Sequence, residues 1–377
     1  MADRRPVGFG RREEQGSTAQ AGASALAGAT RLDDDAMARL VPLRDARGHK
    51  GTFGKLLVIA GSLDYAGAAL LVCRAAGRAG AGLVTLAVPE SLQPLFAAKV
   101  VEATTMALPE DDVEEVDPEP ALAKVLDHEH DALVIGPGLR PSLAIADLLR
   151  LVLTAPEETA GPPAVLDAEA LRSLASADEW WTSVTRPCVL TPHVGEFLRL
   201  RAGAGHERDE DGDLAADDGA RVRATAAAAA EWGQVVVLKG ANTVIAAPDG
   251  SVAMAPFENP AMASGGTGDV LAGTIGALLA QGLAPYDAAR LGVYLHGQAG
   301  ELVRERIGDA GLLAGDLPEA VPMVRKRLAA LAERQRAGRR LGFGARDGAR
   351  DGKPSPSDEA AGADEAAGDA DLGGAPS

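Results

Sequence analysis

Six short aliphatic runs, at residues 55–60, 83–88, 132–135, 164–167, 188–191 and 235–239, recur along this chain with helix-patterned stretches between most of them. A strand that is apolar at nearly every position has no face to give to water, so it must be covered on both sides. Strands of that kind separated by helices predict a largely parallel sheet between two helical layers, an α/β three-layer αβα sandwich. Helical spacing is clearest at 66–79, 143–153 and 222–232. A weaker hairpin is expected from 243–247 and 252–255, joined by Pro248-Asp249-Gly250. Three helices are then expected at 269–281, 285–306 and 317–332.

The pattern stops at both ends. Residues 1–35 are rich in Ala, Gly, Ser and Arg without periodicity and read as a flexible arm, and 336–377 read as a disordered acidic tail. One domain over 36–335 is left between them, within the usual size of an α/β unit. The first thirty residues mix Arg4, Arg5, Arg11 and Arg12 with Glu13 and Glu14 and hold no apolar stretch, which argues against a secretory signal. No apolar window is long enough for a membrane span. Cys73 and Cys188, the only cysteines, sit in apolar runs, so no disulfide framework or cysteine metal site is expected, and the cytoplasm follows as the expected location. Aromatic residues make up only 3% of the chain, so the core must be aliphatic.

The formal charge is −17, with acidic blocks at 110–119, 207–218 and from 347 onward, which read as solvated loops. Such a surface disfavours nucleic acid, whose phosphates need a basic face. Small anions can still bind where a local site supplies positive potential.

One segment does so. In 259–273, Asn-Pro-Ala-Met-Ala-Ser-Gly-Gly-Thr-Gly-Asp-Val-Leu-Ala-Gly, a glycine-rich turn opens directly into an apolar helix. Free N–H groups and the helix dipole converge at such a turn and hold anions. Asp269 then stands in the first helical turn, where it can take a proton from an attacking hydroxyl. A helix-start aspartate can also serve only as a cap. Elsewhere, Lys239 ends an apolar strand and can neutralise phosphate, and Gly240 lets the backbone turn beneath a nucleotide. His193 also lies at a strand end, where open α/β sheets place ligands. Glu196 reads either as an orienting carboxylate or as an ordinary helix-start acid. Gly136-Pro137-Gly138, taken alone, is a strand-end turn.

Gly-Gly-Thr-Gly-Asp at 265–269 resembles the anion hole and catalytic base of ribokinase-like enzymes, and with its flanks it is similar to the NAD(P)H-hydrate dehydratase branch. Four other segments agree in order: His49–Ser62, followed by Tyr65-Ala66-Gly67-Ala68-Ala69; Ile135–Leu139; Thr191–Glu196; and Val236–Thr243. The resemblance covers roughly 40–331 and omits both tails and an acidic insertion loop at 203–219. Val194 departs from it, since the family usually has Pro there. The resemblance implies Asp269 as catalytic base and Gly266, Thr267 and Gly268 as the anion hole. It implies Lys239, Gly240, Ala241, Asn242, Thr243 and Gly268 at the nucleotide, and Ala68, Gly138, His193 and Asp269 at the NAD(P)H hydrate. It further implies ADP, or ATP, as co-substrate and Mg²⁺ bridging phosphate oxygens with few direct protein ligands. Homotetramers occur in the family. The 48 residues before His49 are too few for the epimerase domain that some relatives carry, so a separate epimerase is the expected functional partner. The rival expectations are a ribokinase-like kinase of a thiazole or pyrimidine alcohol, and a nucleotide sensor without catalysis.

Overall fold

The computed structural model describes residue 26 and residues 28–155, 161–207 and 211–347. The chain forms one unit up to Glu333 and a second from Arg334. The first is built on a ten-stranded sheet in the order β1-β12-β11-β10-β9-β8-β7-β2-β3-β4. These strands are β1 (Thr30–Arg31), β2 (Lys55–Ile59), β3 (Leu83–Pro89), β4 (Thr104–Leu108), β7 (Ala132–Ile135), β8 (Ala164–Leu166), β9 (Cys188–Leu190), β10 (Val235–Leu238), β11 (Val244–Ala246) and β12 (Val252–Met254). Neighbours are parallel except at β11, which runs against both β10 and β12.

The six aliphatic runs all appear as strands, and alternate residues face opposite layers because side chains on a strand alternate. Leu56 and Val58 join one core with α1 (Asp34–Leu40), α2 (Ala66–Ala79), α8 (Thr267–Ala280), α9 (Pro285–Ile307) and the start of α10 (Leu317–Asp347). Leu57 and Ile59 join the other, with α3 (Pro118–Asp127), α4 (Leu143–Thr154), α5 (Glu169–Leu174), α6 (Val194–Gly203) and α7 (Asp218–Trp232). The cysteines divide between the two cores, and burial pushes both thiols up to about 12, so neither is a nucleophile at neutral pH.

Helix α8, which carries Asp269, lies unusually close to its neighbours. A Cβ added at Gly273 would sit 2.4 Å from the Val72 carbonyl oxygen of α2, and one at Gly276 would sit 2.4 Å from Val134 Cγ2 of β7. Only residues without side chains permit that approach.

Three expectations need correction. Residues 30–35 belong to the fold and not to an arm: β1 pairs with β12, Leu32 is 2% exposed, and the Asp33 carboxylate accepts the Ala36 amide at 2.7 Å to cap α1. The Asp34 carboxylate also accepts the Tyr294 hydroxyl at 2.8 Å. A chain begun at residue 36 is therefore expected to lose the Leu32 burial, about 1.5–3 kcal/mol, and the cap, about 1 kcal/mol. An unchanged urea midpoint would return these residues to the arm. The acidic block 110–119 is likewise ordered, as a hairpin of β5 (Glu110–Asp112) and β6 (Glu115–Val116) leading into α3. Glu110 anchors it by accepting the Ser91 amide and hydroxyl, both at 2.8 Å. Finally α10 continues as helix to Asp347, past the expected start of the tail, while 1–25 and 348–377 lie outside the described residues.

Candidate active site

The carboxyl ends of β8, β9 and β10 face a cleft of about 850 Å³, lined there by Asp167, His193 and Lys239. At its floor α8 begins without a capping side chain, because its N-cap is Gly266 at φ 90. That left-handed conformation suits glycine, and a Cβ there would meet Leu71 at 2.7 Å. The turn is closed instead by the Thr267 hydroxyl, which donates to the carbonyls of Met262 and Ser264 at 3.1 and 3.0 Å. The first N–H groups of a helix have no intrahelical acceptor; the Thr267 amide makes a long bond to the Ser264 carbonyl at 3.5 Å, and those of Gly268 and Asp269 are left to meet an anion.

Asp269 stands in that first turn, on the cleft wall. Burial and the neighbouring Asp167 carboxylate push its carboxyl up to about 7, with Lys239 pulling the other way. A carboxylate with that affinity for protons suits a general base near neutral pH.

Lys239 follows β10 and reaches across β9 to Asp167, just beyond β8, with Nζ 2.7 Å from Oδ1. Thr191, after β9, donates its hydroxyl to the same oxygen at 2.8 Å. Glu196 lies 3.9 Å from Nζ on the other side. Burial alone would lower the lysine pKa, but the carboxylates of Asp167, Glu196 and Asp269 outweigh it and hold the ammonium charged. Gly268 completes the contact surface, since a Cβ there would lie 3.3 Å from Nζ.

His193 is the N-cap of α6. Its Nδ1 accepts the Gly195 and Glu196 amides at 3.0 and 3.3 Å, while Glu196 accepts the His193 amide at 2.9 Å. With Nδ1 engaged as acceptor, Nε2 is the donor; it lies 3.5 Å from Glu196 Oε1 on a side chain that is 56% exposed, so a ligand can reach it. The capping box forms with Val194 at the position where the family usually has Pro. His193 and Lys239 are also bridged in parallel register, so the two strand ends are neighbours.

The cleft thus gathers His193, Lys239, Gly240, Ala241, Thr243, Gly266, Thr267, Gly268 and Asp269. Ala68 and Gly138 do not line it. They lie against each other at the ends flanking β2 and β7, where a Cβ on Gly138 would be 2.7 Å from Ala68 Cβ. That is where strand order reverses, a usual ligand position in open α/β sheets. Leu71, one turn along α2 from Ala68, connects this corner to Gly266. Asn242 turns away: its amide donates to Asp218 and Glu258 at 2.9 and 2.7 Å, with its backbone at φ 49.

Sequence reasoning missed Asp167, although an acid closing an apolar strand was its visible signal. It also missed Ala168, held at φ 51 on the cleft wall, where a non-glycine residue is strained. His296 of α9 was missed too. Burial pushes its imidazole down to about 4, so it stays neutral and its Nε2 donates to the Thr267 carbonyl at 2.9 Å.

The family model for NAD(P)H-hydrate dehydratase matches residues 56–323. A bifunctional NAD(P)H-hydrate repair enzyme of Moorella thermoacetica is 43% identical over 290 residues, covering 76% of this chain and 52% of that protein. An ADP-dependent (S)-NAD(P)H-hydrate dehydratase of Bacillus subtilis is 36% identical over 287 residues, covering 76% of this chain and 94% of that protein. The chain thus spans about half the length of the bifunctional relatives it matches. The crystal structure of the B. subtilis ADP/ATP-dependent dehydratase, co-crystallised with ATP and Mg²⁺, superposes with a TM-score of 0.66 at 34% identity, over 80% of this chain and 99% of that one. The architecture is ribokinase-like.

Proposed function

This chain belongs to the NAD(P)H-hydrate dehydratase family, and from that premise we propose that it restores NADH and NADPH from the S-form of their hydrates, converting ADP to AMP and phosphate. The observation that carries the reading is Asp269, raised to about 7 and standing at the open N-terminus of α8 beside Lys239.

In the proposed reaction Asp269 takes the proton of the hydrate's 6-hydroxyl as its oxygen bonds to the terminal phosphorus, and AMP leaves. The Gly266–Gly268 turn and Lys239 receive the charge of the transferring phosphoryl. Phosphorylation turns hydroxide, a poor leaving group, into phosphate; its departure from C6, with loss of a proton from the adjacent C5, re-forms the double bond of the dihydronicotinamide ring. Lys239, Gly240, Ala241 and Thr243 hold the nucleotide, while Asn242 has only its carbonyl to offer, because its side-chain amide and its backbone N–H are engaged elsewhere. Ala68, Gly138 and His193 hold the hydrate. Among the described residues no three His, Cys, Asp or Glu side chains are grouped to enclose a metal ion. The hard oxygens of Asp269 on the cleft wall, and of Glu196 3.9 Å from Lys239 Nζ behind it, suit Mg²⁺ held chiefly through phosphate, where it would neutralise charge. A cytoplasmic location accords with the two buried thiols and with the lack of a membrane-crossing helix among the described residues.

The deciding assay is recovery of near-ultraviolet NADPH absorbance from hydrated NADPH with ADP and Mg²⁺. No recovery, together with stable phosphorylation of a vitamin-precursor alcohol, would replace this reading with a kinase.

His193 offers a sharper test. His193→Ala is expected to raise the hydrate KM by the equivalent of about 1–3 kcal/mol, the worth of a lost buried hydrogen bond. Calorimetric ADP affinity should stay nearly unchanged. Because the ring also caps α6, His193→Asn serves as the control that retains a capping side chain. Equal losses toward ADP and hydrate would remove His193 from the hydrate side.

A further inference from the structure

The acidic stretch 203–219 has no part in the reaction above, yet its residues 211–217 are built into the fold behind the nucleotide segment. Buried Arg201 of α6 forks onto Asp211, with Nε–Oδ2 at 3.1 Å and Nη2–Oδ1 at 3.2 Å, and its Nη1 donates to Glu231 of α7 at 2.7 Å. Leu214, 3% exposed, packs into the core beside α7. Its carbonyl accepts Nη1 of Arg221 at 3.0 Å.

The other arm of that guanidinium reaches the strand end that carries Lys239. Arg221 is 4% exposed, and its Nη2 donates to the carbonyls of Leu238 and Lys239 at 2.9 and 3.2 Å. Gly240 lies directly over it, since a Cβ there would be 3.2 Å from Nη2. A buried guanidinium is tolerated only where acceptors surround it, and here every acceptor is a backbone carbonyl of a loop or strand end. Nε is buried without a partner. The group is spent on holding chain segments in place, and not on its own full satisfaction. It is also a cation under the nucleotide segment, where the one ammonium of Lys239 is already shared between Asp167 and Glu196.

We propose that Arg221 is the positioning residue for the nucleotide. It fixes the Lys239–Gly240 backbone from beneath, and the insertion 203–219 orients it through the Leu214 carbonyl. The proposal rests on the reading of 239–243 as the ADP segment. Its consequence is that a change in the insertion, outside the cleft, is felt as ADP affinity. The hydrate side should feel it much less: the Lys239 amide does bond the Pro192 carbonyl at 2.8 Å, but the His193 side chain is held by its own capping box.

The test uses the full chain and calorimetric titration with ADP and Mg²⁺, alongside KM and kcat for both substrates. Arg221→Met should weaken ADP binding about tenfold, the equivalent of one or two lost buried hydrogen bonds. Arg221→Lys, which keeps charge but lacks the fork, should recover part of that loss. Asp211→Asn should weaken ADP binding by about two- to fivefold through the insertion alone. In each case the hydrate KM should stay within about twofold, and saturating ADP should restore most of kcat. If Arg221→Met does not fold, the lysine and Asp211 variants carry the comparison. Folded variants that bind ADP like the parent, or that lose hydrate and ADP affinity equally, overturn the proposal. Failure of the parent chain itself to bind ADP overturns the nucleotide reading and this proposal together, which separates the two failures.

Discussion

Asp269→Asn is expected to lower turnover at least about a hundredfold, the span seen when a general base is removed. ADP titration should be almost unaltered, because the amide keeps the carboxylate's shape. The pH profile carries the same information. The carboxyl sits at about 7, pushed up by burial and by Asp167. It is protonated and idle below that pH, so kcat/KM of the parent should rise with pH through an apparent pKa near 7. The effect on stability has the opposite sign to that of a salt-bridged acid. A carboxyl whose pKa is raised on folding costs nothing below its unfolded value, near 4, and costs fully above 7. Asp269→Asn should therefore melt higher than the parent at pH 8, with the advantage fading toward pH 4. Near-normal turnover in the asparagine variant would remove Asp269 from the mechanism.

Lys239→Met should produce the largest loss of stability among the cleft substitutions. Asp167 is 2% exposed, and its partners are Lys239 Nζ at 2.7 Å and the Thr191 hydroxyl at 2.8 Å. Removing the ammonium leaves a buried carboxylate with one neutral donor, and breaking a buried pair in this way costs about 3–5 kcal/mol. Urea denaturation at pH 7 reads the loss directly. The lysine pKa is raised in the folded chain, so the pair's stabilisation is intact at pH 7 and fades only as pH climbs through and beyond the ordinary lysine range. Adding Asp167→Leu to Lys239→Met should recover most of the stability, because two apolar groups replace two charges, while ADP binding stays lost. A single variant as stable as the parent would mean that the pair contributes nothing to folding.

The strands were legible because complete burial needs continuous aliphatic residues, and no other requirement produces Val-Val-Val-Leu at 235–238. β4 escaped notice for the complementary reason. It is an edge strand with half-exposed residues, and Thr-Thr-Met-Ala-Leu lacks the buried signature. β1 is two residues long and exists only because β12 lies beside it, which no local pattern can announce. The same division runs through the site. Asp269, Lys239 and His193 sit at a glycine turn or a strand end, and both are local features. Asp167 acquires its role only when three consecutive sheet positions bring it within reach of Lys239 and Thr191. Arg221 is hidden in an alanine-rich helix, and its partners, Leu214 and Lys239, lie on either side of it in sequence.

The bare packing of α8 has a consequence for how activity can be damaged. Gly273 and Gly276 seat the helix against Val72 and Val134 with no compliant side chain between them. A methyl group added at either position has nowhere to go, so the whole rod must lift or slide, and it carries Asp269 along. Gly273 is one helical turn beyond Asp269, and its clash is with the Val72 backbone of α2, which does not line the cleft. Its replacement should nevertheless register in a genetic screen as a loss of catalysis. The reactive geometry of this protein is therefore a tolerance set by the interior, and a search for essential positions confined to the walls of the cleft would pass over it.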